Sequence, residues 1–405
     1  MRIGVNCFSL RPQIGGQKQY FLSLFEELFE HDRENNYVLF YFKQNESELS
    51  DLRSSRWKTS AVLLSDQMEV AGYCEKIDLY FCPFGFLWPR PLPLPTVVTL
   101  TDVQEVFYPE FFTNADLYSR ASHYPGSTMM ADHVITVSNY SKQTIAEAHK
   151  INPNKVTVAH LCADERYYRA EIARFPSISL PFRDFAIYPA NRWPHKNHDV
   201  LLRALCILRS DRKIVLNLVF TGYDPPEGYP LLTRAAEYGV ADQVYCAGFL
   251  PVEELAWLYQ HAQMLVFPSF FEGFGIPLVE AMAAGCPVVA SRATCIPEVG
   301  LEAAQYFDPA SPDEVAASIA LVLRNEALRH QMIAKGKAVA ASFSPRRMAA
   351  LHRHAFQEAV KSYSAGGYYF RRIQHQWLAL GTEHRYRRLL DERASREAGQ
   401  AIPFK

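Results

Sequence analysis

The chain has 405 residues, 49% of them hydrophobic, with 42 basic side chains against 43 acidic ones. At roughly 100–200 residues per domain, that length calls for two domains, each able to bury its own core. A formal net charge of −1 excludes bulk electrostatic attraction to nucleic acid or to an acidic polymer.

The front half alternates short apolar runs with helical patterns. Strands are predicted at Ile3–Phe8, Tyr37–Phe42, Leu79–Cys82, Val97–Leu100, Val134–Val137 and Val156–Val158. Helices are predicted between several of them, at Lys18–Glu30, Leu117–Met130 and Lys142–His149. Such alternation specifies an α/β domain with a mostly parallel sheet. The proline-rich stretch Pro89–Pro95 reads as a rigid extended connector. The run Glu171–Arg183, with Pro176 and Pro181 inside it, breaks the pattern and marks the expected domain boundary.

The alternation then restarts. It gives strands at Phe185–Tyr188, Ile214–Phe220, Gln243–Cys246, Met264–Phe267 and Pro287–Ala290. Helices fall at Asp199–Leu208, Leu231–Tyr238, Glu253–His261 and Pro277–Ala284. This is a second Rossmann-like domain, and two such domains facing across a cleft offer a ligand site. Helices follow over Pro312–Ala341 and Pro345–Val360. The expected division is therefore 1–175 for an N-terminal Rossmann-like domain and 176–344 for a C-terminal Rossmann-like domain. A helix over 345–362 returns to the first domain, and 363–405 forms a basic, aromatic tail. That tail shows no core signal beyond a helix at Glu383–Ala394. Its Arg371, Arg372, Arg385, Arg387 and Arg388 read as a solvated surface or as attraction to anionic lipid or to a partner.

None of the eight cysteines forms a C-x-x-C pair and several sit in apolar runs, so free thiols in a reducing compartment are expected. The start MRIGVNCFSL reads as a strand rather than a signal core, and no apolar run reaches the roughly 20 residues of a membrane span. The expectation is a soluble, cytoplasmic protein, with peripheral contact to the inner membrane face through the basic tail.

The most informative segment is PSFFEGFGIPLVEAMAAGCPVVAS, which reads as strand end, glycine loop, helix and next strand. Gly273 and Gly275 let backbone approach a ligand. Pro277 suits the first helical position and Gly285 the end of the helix. The N–H groups of Leu278 and Val279 are then expected to be free at a positive helix end, a site for a diphosphate. Glu280, on the first turns, can accept hydrogen bonds from two neighbouring hydroxyls, as in a ribose. Glu272 sits at the loop mouth. The bland alternative is a strand–turn–helix whose glycines serve only tight turning.

The E-x7-E spacing of Glu272 and Glu280 around GFGIP resembles family 4 of the retaining glycosyltransferases, which have the GT-B fold. Four further stretches agree in order: Gly15-Gly16 with Tyr20; Val137–Ser141; YPANRWPHKN over Tyr188–Asn197; and Pro297-Glu298-Val299 followed by Asp308-Pro309. The resemblance covers roughly residues 1–360. It implies that Glu272 lies beside the transferred sugar and that amides of Phe274, Gly275 and Ile276 hold sugar hydroxyls. It also implies that Leu278 and Val279 bind phosphate, Glu280 the ribose and Lys196 the diphosphate. Gly222 and the Phe249-Leu250 stretch complete the nucleotide side, and Gly15-Gly16 close over the phosphates. Two positions depart from the family. Thr101, before Asp102, stands where a histidine is usual, which bears on sugar contact and acceptor choice. The arginine usual near the phosphate lysine aligns with Asn191, and Arg192 stands one place later. Thr101 and Asp102 are carried as catalytic-site candidates beside Glu272 and Lys196.

No D-x-D motif occurs, so a metal-bridged diphosphate is not indicated and no metal or other cofactor is expected. The scattered histidines do not make a metal cluster, and His195 and His198 more simply shape the loop around Lys196. The aromatics Phe84–Trp88 and Phe107–Phe112 suit an acceptor groove or core packing equally. The resemblance to bacterial surface-polysaccharide mannosyltransferases favours GDP-mannose as donor, with UDP-sugars as the alternative, and a saccharide or lipid-linked saccharide as acceptor. The rival readings are another GT-B enzyme, similar to sucrose or glycogen synthase or to a sugar-nucleotide epimerase, and a weakly active sugar-nucleotide-binding scaffold.

Overall fold

The computed structural model describes residues 1–11, 15–169, 174–223 and 228–398. The chain divides into two compact units, Met1–Leu161 with Pro345–Lys405, and Cys162–Ser344. The division falls at Leu161/Cys162 rather than at 175/176. Residues 171–173 of the boundary stretch lie outside the described residues.

The first unit holds seven strands: β1 Arg2–Asn6, β2 Asn36–Tyr41, β3 Ala61–Leu63, β4 Leu79–Cys82, β5 Thr96–Thr99, β6 His133–Thr136 and β7 Val156–Val158. They pair in parallel in the order β3-β2-β1-β4-β5-β6-β7. Central strands of a sheet covered on both faces carry continuous apolar runs, and all four residues of β4 are buried. The short edge strand β3 is half exposed, which is why its pattern escapes sequence reading.

Helix Gly15–His31 buries Tyr20, Phe21, Leu24, Phe25, Leu28 and Phe29 at helical spacing. Helix Pro345–Ser362 packs on the same sheet, with Phe356 edge-on to Phe81 at 5.2 Å. Between the two helices, His352 Nδ1 lies 2.8 Å from the Met348 carbonyl and so carries the proton. Nε2 then accepts from the Tyr20 hydroxyl at 2.6 Å, and that hydroxyl is also 3.0 Å from Thr99 Oγ1.

The tail differs from expectation. It forms two helices, Ala365–Leu380 and Thr382–Glu397. Leu389 is buried against Leu117 and Ala121. Arg371 reaches Asp132 at 2.8 Å, and Arg385 donates to the Ala121 carbonyl at 3.0 Å. Two cations expected on a solvated surface are therefore committed within this unit. The signal was hard to read because so few apolar residues anchor the segment, while buried ion pairs do the rest.

The second unit holds β8 Ala186–Pro189, β9 Leu218–Thr221, β10 Val244–Gly248, β11 Leu265–Phe267, β12 Val288–Ser291 and β13 Ala304–Phe307. The parallel order is β10-β9-β8-β11-β12-β13. The strand β13 was not anticipated. The predicted helix over 312–341 is two helices, Pro312–Arg324 and Glu326–Ser342, because the Asn325 side chain accepts from Leu328 N–H and caps a new start. Strand order reverses direction between β8 and β11, and in open parallel sheets ligands bind beyond the carboxyl ends of strands at such a point. The loops leaving β8 and β11 are the two that the sequence singles out.

Candidate functional site

The β8 loop and the β11 loop are tied together by backbone and buried polar groups. Phe270 N–H donates to the His195 carbonyl at 2.9 Å, and the Tyr188 hydroxyl donates to the Lys196 carbonyl at 2.7 Å. Asn197 adopts the left-handed region at φ 55°, which Asn tolerates because its short side chain can bond locally. That side chain donates to the carbonyls of Pro268 at 3.1 Å and Pro309 at 2.8 Å.

This stitching brings two predicted residues into direct contact. Lys196 Nζ lies 2.6 Å from Glu272 Oε1, with side chains 17% and 12% exposed, so both charges are largely withdrawn from water yet remain accessible. Lys196 Nζ also stands 5.8 Å from the centre of the Phe267 ring. Glu272 is fixed by its backbone: its N–H donates to Thr294 Oγ1 and its carbonyl accepts from the same hydroxyl, both at 3.2 Å. Cys295 Sγ adds a contact to that carbonyl at 3.1 Å. Thr294, itself at φ 50°, is a functional-loop residue that sequence reading missed, because its partner lies 22 positions away.

Helix Ile276–Ala284 follows, opened by Gly275 at φ 90° and closed by Gly285 at φ 79°, both in a region that L side chains rarely adopt. One expectation is corrected here. Leu278 N–H is not free, but donates to the Gly275 carbonyl at 3.0 Å, because the left-handed Gly275 starts the helix with a tight turn. Leu278 and Val279 are fully buried, and Phe274 packs edge-on to Phe343 at 5.5 Å. Glu280 is buried rather than open at the helix start, and accepts from the Tyr259 hydroxyl at 3.0 Å. Burial first, and then the Glu280 charge, push the hydroxyls of Tyr167 and Tyr259 well above the ordinary phenol range. Tyr167 and Tyr259 carry no sequence motif.

Arg192 and Lys196 converge on His198. Burial, then the positive charges of Arg192 and Lys196, push this imidazole down to about 3, so it is neutral at physiological pH. Asn191 is used internally: its Oδ1 accepts from Tyr223 N–H at 2.8 Å. Gly222, at φ 115°, donates to the Gly248 carbonyl at 2.8 Å. A Cβ there would lie 2.9 Å from the Ala190 carbonyl carbon, so only glycine lets these two loops close up. A small crevice lined by Ala190, Arg192, Thr221, Gly222 and Gly248 lies at these strand ends. Leu250 is buried and Phe249 is exposed.

The remaining predicted residues belong to the first unit. Gly15 and Gly16 open the Gly15–His31 helix and are exposed. Thr101 Oγ1 donates to Asp102 Oδ2 at 3.1 Å, and Asp102 Oδ1 accepts from Gln104 N–H at 3.1 Å. Next to them, Glu105 pairs with Arg120 at 3.1 Å. Burial pushes the Glu105 carboxyl up to about 7, against the pull of Arg120. No described helix is long and apolar enough to cross a membrane.

Residues 174–339 match the model of the family described as glycosyl transferases group 1. The second unit therefore carries a group 1 glycosyltransferase domain. The domain contains Lys196, Glu272, Glu280 and the loops that join them. Among curated relatives, the chain is 30% identical over 257 residues to O-antigen chain mannosyltransferase B of Escherichia coli, covering 61% of this chain and 66% of that one. It is 36% identical over 193 residues to an MMP alpha-(1->4)-mannosyltransferase of Mycolicibacterium hassiacum, covering 47% of this chain and 45% of the relative. The matched stretch thus spans less than two thirds of each of these two relatives. Among solved structures it is similar to HepE of Anabaena in complex with UDP and glucose, with TM-score 0.67, 17% identity, and coverage of 88% of this chain and 99% of that one. It is also similar to a sucrose-phosphate synthase of Thermosynechococcus elongatus, with TM-score 0.68, 18% identity, and coverage of 90% and 100%. The fold is GT-B, built from two Rossmann-like units.

Proposed function

We propose that this chain is a retaining hexosyltransferase that moves mannose from a nucleotide sugar, GDP-mannose in preference to a UDP-sugar, to a saccharide or lipid-linked saccharide acceptor during surface polysaccharide synthesis. The observation that carries the reading is the Lys196–Glu272 contact of 2.6 Å, set beyond the strand ends where sheet order reverses. It supports a reading in which Lys196 is the cation for a leaving diphosphate and Glu272 the carboxylate for a sugar. The mannosyltransferases among the relatives support the choice of sugar.

In this mechanism the acceptor hydroxyl oxygen bonds to the anomeric carbon on the face that the diphosphate leaves. The bond from that carbon to the phosphate oxygen breaks, and the departing phosphate takes the hydroxyl proton. No protein nucleophile is needed. Lys196 stabilises charge that grows on the diphosphate as the bond breaks, and it therefore acts more on the transition state than on the ground state. Arg192 adds positive potential on the same side, and Glu272 positions the sugar. Glu280, held by Tyr259, presents its carboxylate to the ribose. Sequence supports a metal-free course, because the D-x-D that would carry a bridging cation does not occur.

The test is a thermal-shift panel of nucleotide sugars, followed by turnover with saccharide and lipid-linked acceptors. A true donor at 100 times its Kd should add about 2.7 kcal/mol of stability. The reading fails if no nucleotide sugar shifts the transition and no nucleoside diphosphate is released in the presence of acceptors.

A further inference from the structure

The Ala365–Leu380 helix has its polarity inverted. Its inward side holds Arg371, paired with Asp132 at 2.8 Å, and Leu378, which packs on the core of the first sheet. Its outward side holds Tyr369, Phe370, Ile373, Trp377 and Leu380, each between 59% and 74% exposed. At 3.6 residues per turn these five fall within an arc of about 100°, a continuous apolar stripe along one face. Surface aromatics scattered singly need no explanation, but a contiguous stripe of this kind marks an interaction surface.

We propose that this helix is an interfacial anchor that lays its outer stripe into the surface of an anionic bilayer. Three observations select that occupant. From Ala359 to Gly381 there is no Asp or Glu, while Lys361, Arg371 and Arg372 are present. Arg372 is exposed on the stripe's flank, its guanidinium 6.0 Å from the Tyr368 ring, where it can meet a lipid phosphate. Trp and Tyr are also the residues that settle at headgroup depth, with an apolar body and a polar tip. A second copy fits less well, because a symmetric pairing sets Arg372 towards its equivalent with no acid on either helix to offset it. At 16 residues the helix is too short to span a bilayer but long enough to lie in its plane. The proposal does not depend on the sugar transferred.

The test is co-sedimentation of the full chain with phosphatidylcholine vesicles with and without about 30% phosphatidylglycerol. The expected result is binding that rises with the anionic lipid and falls by at least about tenfold in Trp377→Gln/Leu380→Gln. Both side chains are exposed, so an unchanged thermal transition in the variant shows that the fold is intact. The proposal is overturned if the wild type stays in the supernatant with anionic vesicles, or if the double variant sediments equally well. It is equally overturned if light scattering shows a dimer that the double variant dissociates, since a second copy then covers the stripe.

Discussion

Replacing Glu272 by Gln should tighten the binding of a bare nucleoside diphosphate while lowering turnover of the sugar nucleotide. In the structure Lys196 is already engaged by Glu272 at 2.6 Å, so an incoming diphosphate competes with an internal carboxylate. At an effective dielectric of about 20, Coulomb's law gives roughly 6 kcal/mol for unit charges at that separation. Removing two side chains from water takes back much of it, and the net value of a charged hydrogen bond is about 1.5–3 kcal/mol. Glu272→Gln removes the competitor, so the Kd for GDP should fall by roughly tenfold to a hundredfold. Turnover should fall because the carboxylate that positions the sugar is gone. Lys196→Ala should weaken GDP binding instead of tightening it. Its kcat should drop by about 10²–10³, the usual loss for one preorganised donor to a developing oxyanion, with a smaller change in GDP affinity. Calorimetry with GDP and UDP gives the affinities, and initial rates at saturating acceptor give kcat. An unchanged Kd in Glu272→Gln would refute the competition. Near wild-type turnover in Lys196→Ala with a crippled Arg192→Ala would transfer the phosphate role to Arg192.

Glu280→Ala should weaken donor binding by about 1.5–3 kcal/mol and should also lower the melting temperature, because the Tyr259 hydroxyl loses its buried acceptor; unchanged nucleotide affinity would remove the ribose assignment. Activity should persist in excess EDTA, and a loss restored by Mg²⁺ or Mn²⁺ would establish a metal requirement. Truncation after Ser364 should destabilise the first unit by about 1.5–3 kcal/mol, the value of burying one large apolar side chain, since Leu117 and Ala121 would lose Leu389, and calorimetric unfolding would show it. Stability should fall as pH drops below about 6.5. Burial holds His149 and His198 down to about 3 and His133 and His352 down to about 4, so below pH 6.5 these histidines bind more protons in the unfolded chain than in the native one. The stability these neutral histidines supply is present above the unfolded value and is lost as pH falls toward the folded values. Replacing His352 by Gln should remove roughly a quarter of the slope that these four histidines give in melting temperature against pH.

Local chemistry was legible without any structure. Gly275, Pro277 and Gly285 fixed the limits of the Ile276–Ala284 helix, because left-handed backbone and a missing N–H have few other uses. The buried strands of both sheets were legible for a similar reason, since residues covered on two faces leave uninterrupted apolar runs. Pairings across long sequence separation were not. Lys196 and Glu272 are 76 positions apart, and only the order of strands in the second sheet sets their loops side by side. Tyr259 over Glu280 and Thr294 under Glu272 were hidden in the same way, as partners supplied by other elements. The tail shows the point most directly. Composition displays its arginines, but tertiary structure alone decides which of them turn inward to Asp132 and the Ala121 carbonyl, and which apolar side chains are left facing out. A residue's chemistry is written in the chain, whereas its exposure depends on every element packed around it.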